Sequence, residues 1–240
     1  MKEFIRYIRI VIIRIYAMLR SKGLNMNGRI LIVAPHPDDE VIGCSGLIQQ
    51  FLAAGQQVYV CILTGGEGSH KGCCSIPAHE LKSQRRNLAK SIDVQLGLPV
   101  ENLYMLDFPD GNINKDNIEC KKLRGLIEQL KPQSIFVPHQ KGEGWSDHIE
   151  AGNIVKKIIK GSSIHLYEYC VWFWYYNVWG LDWKNARLLM MTRPQYQNKL
   201  KAIHNYISPL APCGKPYSGV LPKMFIRGNQ WSKELYFRVK

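Results

Sequence analysis

A chain of 240 residues, 46% of them apolar, is long enough to bury one sizeable core and reads as a single domain over residues 24–240 behind a basic N-terminal helix over residues 1–23. Its formal charge of +13 suits an anionic membrane surface or substrate, and without an RNP motif, zinc finger or GKS/T phosphate loop, specific nucleic-acid reading has no support beyond charge. Seven cysteines, odd in number and without a CxxC pair or a cleavable signal peptide, argue against a secreted disulfide framework and for a reducing, cytoplasmic setting.

The first 20 residues are rich in Ile, Tyr, Phe and Leu, but Arg6, Arg9 and Arg14 interrupt them, so no bilayer-spanning run exists. On a helical wheel Lys2, Arg6, Arg9, Arg14 and Arg20 gather on one side, and Ile5, Ile8, Val11, Ile12, Ile15 and Leu19 on the other. Two expectations follow: peripheral contact with the inner face of the membrane, or packing of the apolar stripe on the chain's own domain or on a partner subunit.

After a breaker at 23–28, Arg29–Ala34 is a short apolar run suited to a central parallel strand. Alternation follows: a helix over 40–54, a strand over 57–63, a helix ending near Gly97, and a strand over 103–106. It continues with a helix over 115–130, a strand over 134–137, a helix over 149–159 and a strand over 164–169. This predicts a Rossmann-like, doubly wound, mostly parallel α/β sheet with helices on both faces, whose ligands bind beyond the carboxyl ends of the strands. Beyond Val171 the pattern is less regular and aromatic-rich; the cluster Trp172–Tyr176 suits a core more than a sugar-stacking face. The adjacent Cys73 and Cys74 read as a loop pair, because neighbouring thiols bridge poorly.

Three loops stand at strand ends: Pro35–Glu40, Thr64–Ser69 and His139–His148. His36 and Asp39, three apart at a helix start, offer an imidazole and a carboxylate to one point, a donor pair suited to zinc or another divalent transition metal. A catalytic zinc takes a third protein ligand from elsewhere, and His148 is the best placed. Asp38 projects differently from its neighbour and suits a general base that takes a proton from the attacking water. Asp38, Asp39 and Glu40 are also the residues expected to cap a helix, and the loop by itself leaves capping and ligation evenly balanced.

The run PHPDDE at 35–40 followed by Ile42-Gly43-Cys44-Ser45-Gly46 resembles the signature of the PIG-L/LmbE-like zinc-dependent N-acetylglucosaminyl deacetylases. Thr64–Gly68 resembles that family's TxGE loop, Leu106–Gly111 its LxxPDG segment, Ser146–His148 the end of its HxDH motif, and Lys201–Ser208 a late segment, so the likeness runs from about Arg29 to Ser208. The resemblance implies metal ligands at His36, Asp39 and His148, a general base at Asp38, and hydrolysis of the N-acetyl group of a GlcNAc-like amino sugar or glycoconjugate; the positive charge suits an anionic or lipid-linked one. The glycines of the Thr64 loop would let substrate hydroxyls approach the backbone, with a plain turn as the alternative, and Gly66, Glu67 and Ser69 are the candidate substrate contacts.

One position departs. Trp145 stands where the family carries a histidine that helps stabilise the oxyanion or protonate the leaving amine, and an indole shuttles no proton. His139, and behind it His70, are candidates to replace it, while the metal itself is an alternative source of oxyanion stabilisation. Asp147 is read either as the residue that orients a catalytic side chain or as a helix cap. Arg85 and Arg86 read as a solvated basic face. A degenerate, non-catalytic sugar-binding relative is the alternative to an enzyme, and the oligomeric state stays open.

Overall fold

The computed structural model describes residues 1–72, 76–176 and 180–239; the Cys73–Cys74 pair lies outside them. Eight strands form one sheet: β1 (Lys22–Gly23), β2 (Ile30–Ala34), β3 (Val58–Ile62), β4 (Leu103–Met105), β5 (Ser134–Pro138), β6 (His165–Tyr169), β7 (Ala186–Met190) and β8 (Lys233–Arg238). Their spatial order is β1-β7-β8-β6-β5-β2-β3-β4. All pairings are parallel except those of β8, which runs antiparallel to both β6 and β7. Strands β2 to β6 and their helices follow the alternation read from the chain, with boundaries shifted by a few residues. The irregular C-terminal part adds β7 and β8, joined to β6 as an extension of the same sheet.

The helices are α1 (Lys2–Arg20), α2 (Asp39–Ala53), α3 (Ala78–Gln95), α4 (Glu119–Leu130), α5 (Ser146–Ile158), α6 (Arg193–Ile207) and α7 (Lys223–Asn229). Strand β2 explains why its run is apolar at every position. Ile30 and Ile32 point into a core completed by Leu47, Phe51, Ile92 and Ile203 of α2, α3 and α6. Leu31 and Val33 point the other way, against Leu123 and Ile127 of α4 and Val155 of α5. Side chains alternate across a strand, so a strand covered on both faces carries no polar position.

Helix α2 lies unusually close to the sheet. A Cβ on Gly43 would sit 2.4 Å from the Tyr169 ring, whose hydroxyl donates to the Val33 carbonyl at 3.0 Å. Further along, the Gly46 and Leu47 amides donate to the Glu234 carboxylate of β8 at 2.8 and 3.0 Å, and Lys199 of α6 pairs with the same carboxylate at 2.8 Å. A buried carboxylate is tolerable here because a cation and several donors replace its water.

Helix α1 packs on the sheet's far end, with Ile10, Ile13 and Ala17 joining Phe173, Trp174, Leu235 and Phe237 in a third cluster. Its arginine side faces inward. Arg9 donates to the Phe173 and Trp174 carbonyls, both at 2.8 Å, and Arg14 to those of Gly228 and Arg227 at 2.9 and 3.1 Å. Ile5, Ile8, Ile12, Ile15 and Leu19 are exposed, so the expectation that this stripe packs on the chain's own domain is corrected. Carbonyls left free at a 3-10 turn and at the end of α7 provide acceptors that make burial of the guanidinium side cheaper than a wheel of residue types implies.

Gly43→Ala forces the Tyr169 ring away from α2 and is expected to cost about 1–3 kcal/mol, the usual range for overpacking. A urea unfolding midpoint equal to wild type would contradict the close packing described.

Candidate metal centre

The site lies at the carboxyl ends of β2, β3 and β5, neighbours in the sheet although far apart in the chain. After β2 the chain turns through Pro35–Asp38 into α2. Asp38 caps that helix with a φ of 127°, a left-handed conformation that a non-glycine residue adopts only under restraint. The restraint is visible. Glu40 accepts the Asp38 amide at 3.0 Å and the Tyr206 hydroxyl at 2.5 Å, and Arg85 donates to the Pro37 carbonyl at 2.8 Å and to the Asp38 carboxylate at 3.2 Å.

Three donor atoms converge. His36 Nδ1 and Asp39 Oδ2 are 3.3 Å apart, His148 Nε2 and His36 Nδ1 3.3 Å, and His148 Nε2 and Asp39 Oδ2 3.2 Å. Bonds of roughly 2.0–2.1 Å at tetrahedral angles subtend about 3.3 Å between ligand atoms, so one triangular face of a zinc-like site is formed and a fourth position is left for water or substrate. Two imidazoles and one carboxylate also match the chemistry of that ion.

Each imidazole is steered from behind. His148 Nδ1 faces Glu143 Oε2 at 3.0 Å, and Glu143, fully buried, also accepts the amides of Val171 and Trp172 at 2.9 and 2.7 Å. His36 Nε2 faces Asp110 at 3.1 Å and Asp147 at 3.3 Å, while Asp147 accepts the Gly111 and Ile113 amides at 2.7 and 3.1 Å. A carboxylate behind a ligating histidine sets its tautomer and aims its other nitrogen at the metal. His36, Asp110 and Asp147 form a second cluster of candidate donors. His36 serves one metal through one neutral nitrogen, and of the two groups the His36–Asp39–His148 set is the one with a second imidazole, a donor that suits zinc.

The electrostatics agree with a cation there. Burial alone would lower the two histidines, but the carboxylates around them outweigh it, raising His36 well above its usual value and His148 to about 9. Burial pushes Asp39 up, yet His148 and His36 hold it well below the usual carboxylate range. Asp38 behaves oppositely. Its burial outweighs the pull of Arg85, and with Asp39 nearby its pKa rises to about 7.

The other predicted residues fall as follows. Gly66 has φ 65°, and a Cβ there would meet the Arg85 guanidinium; Arg85 is 5% exposed and donates to the Gly66 carbonyl at 2.9 Å, which corrects its reading as a solvated basic face. Arg86 pairs with Asp107 at 3.1 Å. Glu67 accepts the Gly65 amide at 3.1 Å, and Ser69 donates to the Tyr217 carbonyl at 3.2 Å, so both are engaged in the loop's own structure. The structure does not bring His139 to the cluster. It sits edge-on between Phe173 and Phe237, and burial lowers its pKa to about 4. His70 is bonded to the Pro216 carbonyl at 2.7 Å. Trp145, half exposed, rests edge-on against Trp172. Glu143, Asp110 and Tyr206 were not singled out in the chain, and Glu40 was read only as a helix-capping residue; Glu143 stands five residues before His148 and Asp110 within the LxxPDG segment.

These features define an α/β protein with a His–Asp–His group that could hold a metal at the carboxyl ends of a parallel sheet. Residues 31–159 match the model of the PIG-L family, GlcNAc-PI de-N-acetylase, and the chain belongs to that family. It is 31% identical over 127 residues to the diacetylchitobiose deacetylase of Thermococcus kodakarensis, covering 52% of this chain and 46% of that one. Over 138 residues it is 25% identical to the probable N-acetyl-alpha-D-glucosaminyl L-malate deacetylase 2 of Bacillus cereus, covering 56% of this chain and 62% of the relative. The chain thus spans about half the length of the curated relatives it matches. Among solved structures, the fold is shared with N,N'-diacetylchitobiose deacetylase from Pyrococcus horikoshii at a TM-score of 0.60 and 22% identity, covering 74% of this chain and 68% of that one.

Glu143→Gln is expected to weaken metal affinity about 10–100-fold, the usual effect of removing a carboxylate behind a ligating histidine. Competition with a chromogenic chelator measures it; affinity within a factor of two of wild type would remove Glu143 from the site's design.

Proposed function

We propose that this protein is a zinc-dependent N-deacetylase that hydrolyses the acetamido group of a GlcNAc-like sugar or glycoconjugate. The observation that carries the reading is the convergence of His36 Nδ1, Asp39 Oδ2 and His148 Nε2 within 3.3 Å, beside a carboxyl whose pKa stands at about 7. Family membership and the activities named for the two curated relatives support the substrate class. Zinc held by the three ligands would polarise the amide carbonyl and make a water more acidic.

The chain's own residues account for the remaining steps. Asp38 takes a proton from the attacking water as its oxygen bonds to the acetyl carbon, and a pKa near neutrality suits both accepting that proton and releasing it. The C–N bond then breaks, the acetyl group leaves as acetate, and the proton held by Asp38 passes to the departing amine. Asp38 performs both transfers because Trp145 cannot deliver a proton and His139 is enclosed by aromatic rings. Arg85 holds the Asp38 carboxylate in place, and Glu40 holds its backbone. The basic charge of the chain favours an anionic or lipid-linked conjugate over a neutral free sugar.

Metal analysis of the purified protein, followed by acetate release from free, nucleotide-linked and lipid-linked GlcNAc derivatives, tests the reading. Asp38→Asn is expected to keep its metal and to lose acetate release by about 10²–10⁴-fold, the usual worth of a positioned base. Activity retained by that variant removes the base assignment, and tight sugar binding by a zinc-loaded protein that releases no acetate from any conjugate removes the enzyme assignment.

A further inference from the structure

Helix α1 presents its apolar face to solvent. Ile5, Ile8, Ile12, Ile15 and Leu19 recur at spacings of three and four, and they are 55%, 41%, 44%, 45% and 76% exposed. At this spacing the five side chains form one line along a helix about 28 Å long, flanked by the exposed Phe4 and Tyr16. The opposite side is occupied: Ile10, Ile13 and Ala17 are buried, and Arg9 and Arg14 are bound by backbone carbonyls. The helix is therefore anchored by its arginines and leaves a continuous hydrophobic strip uncovered, which on a water-soluble surface marks a docking site.

The charge around the strip selects its occupant. Helix α1 packs against α7, β7 and the short 3-10 turn at Trp183–Asn185. On these elements, at the ends of α1 and on β1 just after it, Lys2, Arg20, Lys22, Lys184, Lys223 and Arg227 are exposed. The acidic groups on the same elements are Glu3, paired with Arg6 at 2.8 Å, and Asp182, which accepts from Asn185 at 2.8 Å. Two copies docked strip to strip would bring these like charges together, whereas an anionic lipid surface receives isoleucines into its acyl boundary and lysines and arginines at its headgroups. No described helix is long and apolar enough to cross a membrane, so the contact lies in the plane of the surface.

We infer that α1 docks this protein onto anionic bilayers through Ile5, Ile8, Ile12, Ile15 and Leu19, with the surrounding lysines and arginines contacting lipid headgroups. The inference stands apart from the deacetylase reading, because its readout is partition and not acetate release.

The test is co-sedimentation of the full chain with vesicles of phosphatidylcholine alone or mixed with phosphatidylglycerol, at low and high salt. The wild type is expected to sediment with the mixed vesicles, more weakly as salt rises, and poorly with phosphatidylcholine alone. Ile12→Glu with Ile15→Glu is expected to lower partition at least about tenfold, since both side chains must enter the acyl boundary. Both positions are exposed, so circular dichroism and melting temperature should match wild type. Arg20→Ala with Lys22→Ala serves as a second variant that lowers binding to the mixed vesicles alone. Failure to sediment, equal binding to both vesicle types, or partition unchanged by the glutamates overturns the proposal. So does a dimer in solution that the glutamate variant dissociates without any vesicle binding, which would give the strip to a second copy of the chain.

Discussion

Two imidazole nitrogens and a carboxylate oxygen lie within 3.3 Å of one another in a largely buried loop cluster, an arrangement unstable unless a positive charge occupies the space between them. With Nδ1 of His148 directed at Glu143 and Nε2 of His36 at Asp110 and Asp147, the natural place for each ring proton is on the outward nitrogen. The inward nitrogens are left with lone pairs aimed at a carboxylate. Protons or a metal ion must neutralise that repulsion, and the raised pKa values of both histidines express the same demand. Much of the surrounding structure serves to keep these atoms facing one another.

The sheet order makes this convergence achievable. Because β2 lies between β3 and β5, the loops after all three strands meet although their residues come from positions around 36, 66 and 145 of the chain. The loops are then bolted together: Thr64 donates to the Pro35 carbonyl at 2.9 Å, Arg85 spans Pro37 and Gly66, and Asp147 gathers the amides of Gly111 and Ile113. Side chains thus do the work of backbone pairing where the sheet has ended. The same logic explains the strained Asp38. Asp38 holds a positive φ, and the hydrogen bond from its amide to Glu40, together with the Arg85 contact, compensates that cost.

The central strands and the three residues His36, Asp39 and His148, which the fold brings together, were legible because the strands are apolar runs covered on both faces and the three residues stand in motifs at turns that follow strands. What escaped depends on contacts distant in sequence. Glu143 lies between two glycines and reads as part of a solvated loop, yet it is completely buried, because the amides after β6 reach it as donors. Tyr206 and Glu234 lie in the less regular C-terminal part, where no element was read, and only the fold sets them against Glu40 and α2. Strand β8, Lys-Glu-Leu-Tyr-Phe-Arg, carries charges that obscure its apolar character, and the Lys199 pair together with the α2 amides shows why Glu234 is tolerated inside. Arg85 was misread for the same reason, since acceptors for its guanidinium come from two loops that its own helix does not contain.

Helix α1 shows where a wheel of residue types reaches its limit. A wheel sorts side chains into apolar and charged halves and assigns the apolar half to the interior, on the premise that charge is costly to bury. That cost depends on the acceptors waiting inside. The Phe173, Trp174, Arg227 and Gly228 carbonyls stand where Arg9 and Arg14 enter, and aromatic rings receive what is left: Arg6 lies 4.2 Å from the Tyr175 centroid and Arg14 5.2 Å from that of Trp231. Once the arginine side is satisfied inward, the isoleucine side has only solvent to face. An exposed strip of that length is costly in water, and it is this cost that the inferred docking of α1 on a bilayer would remove.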